Sequence, residues 1–110
     1  AGLGPAAAER ILVVGVVPSP PGPPNFSSAA VTGSTVTLNW VAPAVGSPTS
    51  YIVEAGSATG LSNLAVVNTG STAVTVDFGG VPPGTYYVRL RAVNALGASV
   101  VSNERTVVVP

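Results

Sequence analysis

At 110 residues the chain has the length of one domain, and it contains no Cys, His, Met or Lys. Four Arg and four acidic residues cancel to a net charge of zero. These absences exclude disulfides and thiolate chemistry, remove imidazole as proton shuttle and metal ligand, and leave no basic surface for nucleic acid.

The remaining composition points to strands. The chain has 21 Val, 10 Thr and 11 Ser, with 13 Gly and 11 Pro to punctuate them. β-Branched residues suit half-buried pleated surfaces, while Gly and Pro mark turns. Hydrophobic residues make up 46%, enough to fill a core, and charged residues only 7%. A surface so poor in charge repels its neighbours weakly and favours association.

The first 17 residues form an arm. Small residues fill Ala1–Ala8, Glu9 and Arg10 follow, and Ile11–Val17 is the longest apolar run. That run is far short of the roughly 20 residues of a membrane span. Its apolar residues lie on both faces of the strand it would form, the pattern of a strand buried twice over. The chain opens on Ala1 rather than Met. We read it as a secreted, extracellular or cell-surface protein whose signal has been removed.

Residues 18–24, Pro-Ser-Pro-Pro-Gly-Pro-Pro, form a stiff extended linker of about 20 Å. Beyond it, residues 25–110 break into seven short strands between turn signals. They are Phe26–Val31, Thr35–Val41, Tyr51–Ala55, Leu64–Val67, Ala73–Phe78, Thr85–Val93 and Glu104–Val109. Alternation assigns inward faces to Val36, Leu38 and Trp40, to Tyr51 and Val53, to Val74, Val76 and Phe78, and to Tyr86, Val88, Leu90 and Ala92. It turns Ile52, Glu54, Tyr87, Arg89 and Arg91 outward. An all-β, seven-stranded sandwich with an extra N-terminal strand is the expected fold.

The motifs Leu38-Asn-Trp40, Tyr51-Ile-Val53, Val81-Pro-Pro-Gly-Thr-Tyr86, Val88-Arg-Leu-Arg-Ala-Val-Asn94 and Ser102-Asn-Glu104 resemble, in that order, those of a fibronectin type III domain of the bacterial or archaeal extracellular kind. The resemblance runs from about Pro20 to Pro110 and implies an immunoglobulin-like sandwich. Trp40 resembles the family's buried tryptophan. Tyr86 resembles its corner tyrosine, whose hydroxyl would bond backbone near Val81. Tyr51 and Leu90 complete the expected core. Two departures stand out: the corner is one residue short, and Arg105 replaces an apolar residue in the last strand. The cell-attachment tripeptide Arg-Gly-Asp, known from some members, is absent.

Candidate sites are few. The four acids are scattered, which argues against a carboxylate pair or a metal site, and no cofactor is called for. Glu54 is expected to pair with Arg89 and Arg91 across two strands at a solvated surface, with well under about 1 kcal/mol of effect. Asn25-Phe-Ser27 is a glycosylation sequon, short enough to arise by chance. Tyr87 beside two Arg suggests a weak carbohydrate-stacking face or an ordinary cross-strand cluster.

The arm is more informative. Ile11, Leu12, Val13, Val14, Val16 and Val17 find no place in a complete sandwich, and burying each contributes on the order of 1.5–3 kcal/mol. Three destinations remain. Glu9-Arg-Ile-Leu-Val-Val14 is similar to Glu104-Arg-Thr-Val-Val-Val109, so the arm reads as the last strand of an upstream repeat. Alternatively it folds back on its own sheet, or it pairs with a neighbouring copy as an added strand. The preferred expectation is a non-enzymatic extracellular subunit that polymerises by donating this strand. The competing one is a spacer or accessory module of a larger secreted protein such as a polysaccharide-degrading enzyme.

Overall fold

A computed structural model describes residues 19–110, and the expected arm strand at Ile11–Val17 lies outside them. The strands are β1 (Asn25–Thr32), β2 (Thr35–Val41), β3 (Ser50–Gly56), β4 (Ala65–Asn68), β5 (Thr75–Phe78), β6 (Gly84–Asn94), β7 (Gly97–Ala98) and β8 (Arg105–Val109). One sheet has the order β1-β2-β5. The other runs β4-β3-β6, with β7 and β8 both paired to β6. Every pairing is antiparallel.

The two inner faces meet in an apolar core. Val36, Leu38 and Trp40 come from β2, Tyr51 and Val53 from β3, and Val88, Leu90 and Ala92 from β6. Val107 and Val109 of β8 and Phe26 of β1 complete it. Trp40 and Tyr51 meet edge to face, with ring centres 5.2 Å apart, and burial pushes the Tyr51 hydroxyl above its ordinary pKa.

β1 does not keep the simple alternation of its sequence. A bulge at Ser27 lets Phe26 pair with Trp40 while Ser28 pairs with Asn39. The extra residue flips the parity, so Phe26, Ala29 and Val31 all face the core. Ser27 steadies the bulge by donating its hydroxyl to the Asn39 carbonyl at 3.1 Å.

The seven expected strands become eight because a two-residue strand, β7, precedes the expected last one, which is β8. β7 pairs with Val93 and Asn94, and β8 pairs with Gly84–Val88. Ser99 and Ser102 bridge the gap. Their backbone N–H groups donate to the Ala92 and Leu90 carbonyls at 2.8 and 2.7 Å. Their hydroxyls accept from the N–H groups of Ala92 and Leu90 at 3.0 and 2.8 Å. Hydroxyl oxygens thus stand in for missing ladder carbonyls, and the buried backbone of β6 stays paired.

One further expectation needs correction. β5 begins at Thr75 rather than Ala73, so Val74 is exposed, although its carbonyl still accepts from Trp40 N–H at 3.0 Å. Arg105 shares the parity of Val107 and Val109, yet it lies at the rim of the sandwich and leaves that inward face apolar.

The stretch leading into β1 is packed against the domain. Pro21 and Pro24 are buried. Asn94 donates its side-chain amide to both the Ser19 and Gly46 carbonyls at 2.9 Å.

Candidate association edge

The two sides of the sandwich are finished differently. On one side β1 faces the start of β8, and side chains cap the outer edge of β1 at Phe26. Asn103 accepts from Phe26 N–H through Oδ1 and donates to the Phe26 carbonyl through Nδ2, both at 2.9 Å. Arg105 Nε donates to the same carbonyl at 2.8 Å, and its guanidinium lies 5.8 Å from the Phe26 ring centre. Beyond Phe26, β1 also ends its sheet among the described residues.

The opposite side is open. β4 and β5 each end their sheet, and neither has an outer partner among the described residues. Between them a cleft of about 470 Å³ reaches the core, lined by Leu38, Val53, Val67, Phe78, Val81 and Val88 among others. Small residues make room for it: Ala55, Ala65, Gly79 and Gly80 also line the cleft. The rim is apolar too, with Leu64 48% exposed. Charge, proline and length usually protect a sheet edge from other chains. β4, Ala-Val-Val-Asn, is short but has neither charge nor proline.

Sequence reasoning missed this cleft. Its signal was two four-residue strands beside small residues at facing positions, which periodicity does not detect.

The sequence-predicted residues fall elsewhere. Trp40, Tyr51 and Leu90 lie in the core, and Tyr86 is half-buried at the corner. The Tyr86 hydroxyl donates to the Pro82 carbonyl at 2.6 Å, one residue beyond the expected Val81. Asn25 is exposed at the start of β1, next to the fully buried Phe26. Tyr87 is half-buried and pairs with Gly56 and Thr106. Ile11, Leu12, Val13, Val14, Val16 and Val17 lie outside the described residues.

The three acids among the described residues are held apart. Glu104 accepts from Gly60 N–H at 3.0 Å, and Asp77 lies opposite Thr37 in the other sheet. Glu54 takes Arg89 Nε on one oxygen at 2.8 Å and Arg91 Nε on the other at 2.7 Å. This pairing is not the solvated contact the sequence suggested, because only 10% of the Glu54 side chain is exposed. Burial pushes its carboxyl up, but hydrogen bonds and charge from Arg91 and Arg89 outweigh that and hold it below the usual range. The cluster pins β3 to β6, and Arg91 also donates Nη1 to the Ser99 carbonyl at 2.9 Å.

A family model described as "Fibronectin type III domain" matches residues 19–108. Among curated proteins none matches the chain. Several solved structures share the fold. A structure of titin kinase and its flanking domains is 23% identical with a TM-score of 0.67, over 83% of this chain and 17% of that one. The fibronectin domains of chicken contactin are 17% identical with a TM-score of 0.69, over 83% of this chain and 32% of that one. The twitchin kinase region of C. elegans is 26% identical with a TM-score of 0.66, over 82% of this chain and 17% of that one. The chain therefore spans a third or less of each of these structures.

Proposed function

Because the chain belongs to the fibronectin type III family, we propose that it is a non-enzymatic structural subunit, joining copies of itself when an N-terminal strand is added to a neighbour's sheet edge. The observation that supports this most is the open side of the sandwich, where strands β4 and β5 flank an apolar cleft. The six aliphatic residues of Ile11–Val17 supply a strand of matching chemistry. A head-to-tail contact of this kind is heterologous, and repeated without closure it builds a filament. An extracellular setting, bacterial or archaeal, belongs to the same proposal.

The test compares the full chain with residues 18–110 by sedimentation and electron microscopy. The full chain is expected to form concentration-dependent polymers and the shortened one to stay a folded monomer. Polymers that survive the deletion would reject the reading. The double substitution of Val13 and Val14 to Asp, made in the full-length chain, should act as the deletion does.

A second reading has its own support. The likeness of residues 9–14 to residues 104–109 is consistent with the arm being the last strand of an upstream repeat, and the chain spans a third or less of three of the similar structures, though nearly all of another. On that reading the chain is a spacer or accessory module of a larger protein. A longer reading frame with a complete sandwich ending at residue 17 would favour it.

A further inference from the structure

We infer that the cleft between β4 and β5 receives Ile11–Val17 of a second copy of this chain, laid along β4 as an additional strand. The inference rests on the assembly reading above and specifies which edge accepts the arm.

Chemistry selects the edge. On the β1 side, Asn103 and Arg105 cap the strand edge at Phe26 with hydrogen bonds and a charge. The β4–β5 side offers strand edges unpaired among the described residues, and aliphatic or aromatic walls. An all-aliphatic strand would bury charge-free surface there, and its backbone would pair with β4. Glu9-Arg10 and Pro18 bracket the aliphatic run and limit the inserted part to residues between them.

Geometry selects the second copy. Ser19 is held by Asn94, at the far end of β6. The cleft lies towards the other end, where Val88 of β6 is paired with Ala55 of β3, whose neighbour is Ala65 of β4. Six residues of β6 separate Val88 from Asn94, about 20 Å, and β4 lies two strands aside, about 10 Å. The direct distance is therefore about 22 Å. Val17 is two residues from Ser19 and reaches about 7 Å at most. In its own molecule only Ile11 and Leu12 would arrive at the centre of the cleft, with Val13 and Val14 stopping near Asn68 at the near end of β4. From a second molecule, stacked so that its entry pole meets this cleft, the whole run fits.

The full chain with Val67→Lys, which puts a charge on the cleft wall, should need at least about tenfold higher concentration to assemble. Val100→Lys, on the exposed stretch between β7 and β8, should assemble like the parent. Circular dichroism checks that both fold. Because the chain has no Cys, a Val14→Cys chain mixed with a Val66→Cys or Val67→Cys chain should form a disulfide-linked heterodimer on oxidation. Assembly lost with Val100→Lys but kept with Val67→Lys would overturn the inference and leave the assembly reading standing. A Val14→Cys, Val67→Cys double variant that closes only within single molecules would also overturn it. A full chain that stays monomeric, or polymers that persist without residues 1–17, would overturn the assembly reading itself.

Discussion

Arg105 reaches across from one sheet to the other, donating to the backbone carbonyl of Phe26 at 2.8 Å while its guanidinium lies 5.8 Å from that residue's own ring. With Asn103 it leaves the outer edge of β1 satisfied at Phe26, the residue whose side chain is wholly buried. Asn103→Ala removes one donor and one acceptor together and is expected to lower stability by about 1–3 kcal/mol in urea denaturation. Arg105→Leu should cost less, about 0.5–1.5 kcal/mol, because the asparagine still holds both backbone groups. Equal losses for the two variants would show that the clamp does not divide its work this way.

The gap between β7 and β8 makes a separate claim. Ser102→Ala takes away the only acceptor recorded for Leu90 N–H, and Ser99→Ala does the same for Ala92 N–H. Each is expected to cost about 1–3 kcal/mol, since a buried donor is left unpaired. Amide hydrogen exchange reads this directly. Leu90 should lose protection in the first variant and Ala92 in the second, with Val36 and Leu38 in the other sheet changed only as far as global stability falls.

Much of this architecture is legible in the sequence, and the parts that are not share a cause. The period-two pattern of Thr35–Val41 locates β2 because all its inward residues are large and apolar. The bulge at Ser27 leaves no such mark, since small residues follow it and either parity reads equally well. The break at Ser99 and Ser102 depends on hydroxyls acting as backbone acceptors, which hydropathy does not encode. Glu54 looked solvent-facing because its strand position is outward, but two long Arg side chains cover it. The cleft is a property of missing volume at Ala55, Ala65, Gly79 and Gly80. Absent side chains are hard to see in a string of letters.

Glu54 gives the chain a predictable response to acid. Its carboxyl lies below the ordinary value of 4.5 in the folded state, so the unfolded chain binds the proton more readily. The resulting stabilisation is fully present above about 4.5 and is lost as pH falls from there through the lower folded value. Glu54→Gln should therefore flatten the fall in stability below that pH, and near neutrality it should destabilise by about 1–2 kcal/mol. Denaturation midpoints measured between neutral pH and the acid limit, for parent and variant, check both parts. Parallel curves would mean that another carboxylate sets the acid response.

Gly46 tests how firmly the segment before β1 is seated. Its φ of +98° lies in the left-handed region, and a Cβ there would come within 2.3 Å of the Pro21 Cα. Backbone meets backbone, so no side-chain rotation relieves the contact. Gly46→Ala is expected to displace Ser19–Pro24 from the domain and to cost about 1–3 kcal/mol. Asn94→Ala should loosen the same segment more mildly, because it removes the bonds to the Ser19 and Gly46 carbonyls without forcing anything out of place. Limited proteolysis separates these effects from general unfolding. The earliest cuts should fall within residues 18–24, faster in Gly46→Ala than in Asn94→Ala, while the sandwich stays intact. If first cleavage moves instead to the loop between β4 and β5, the entry segment is not what Gly46 supports.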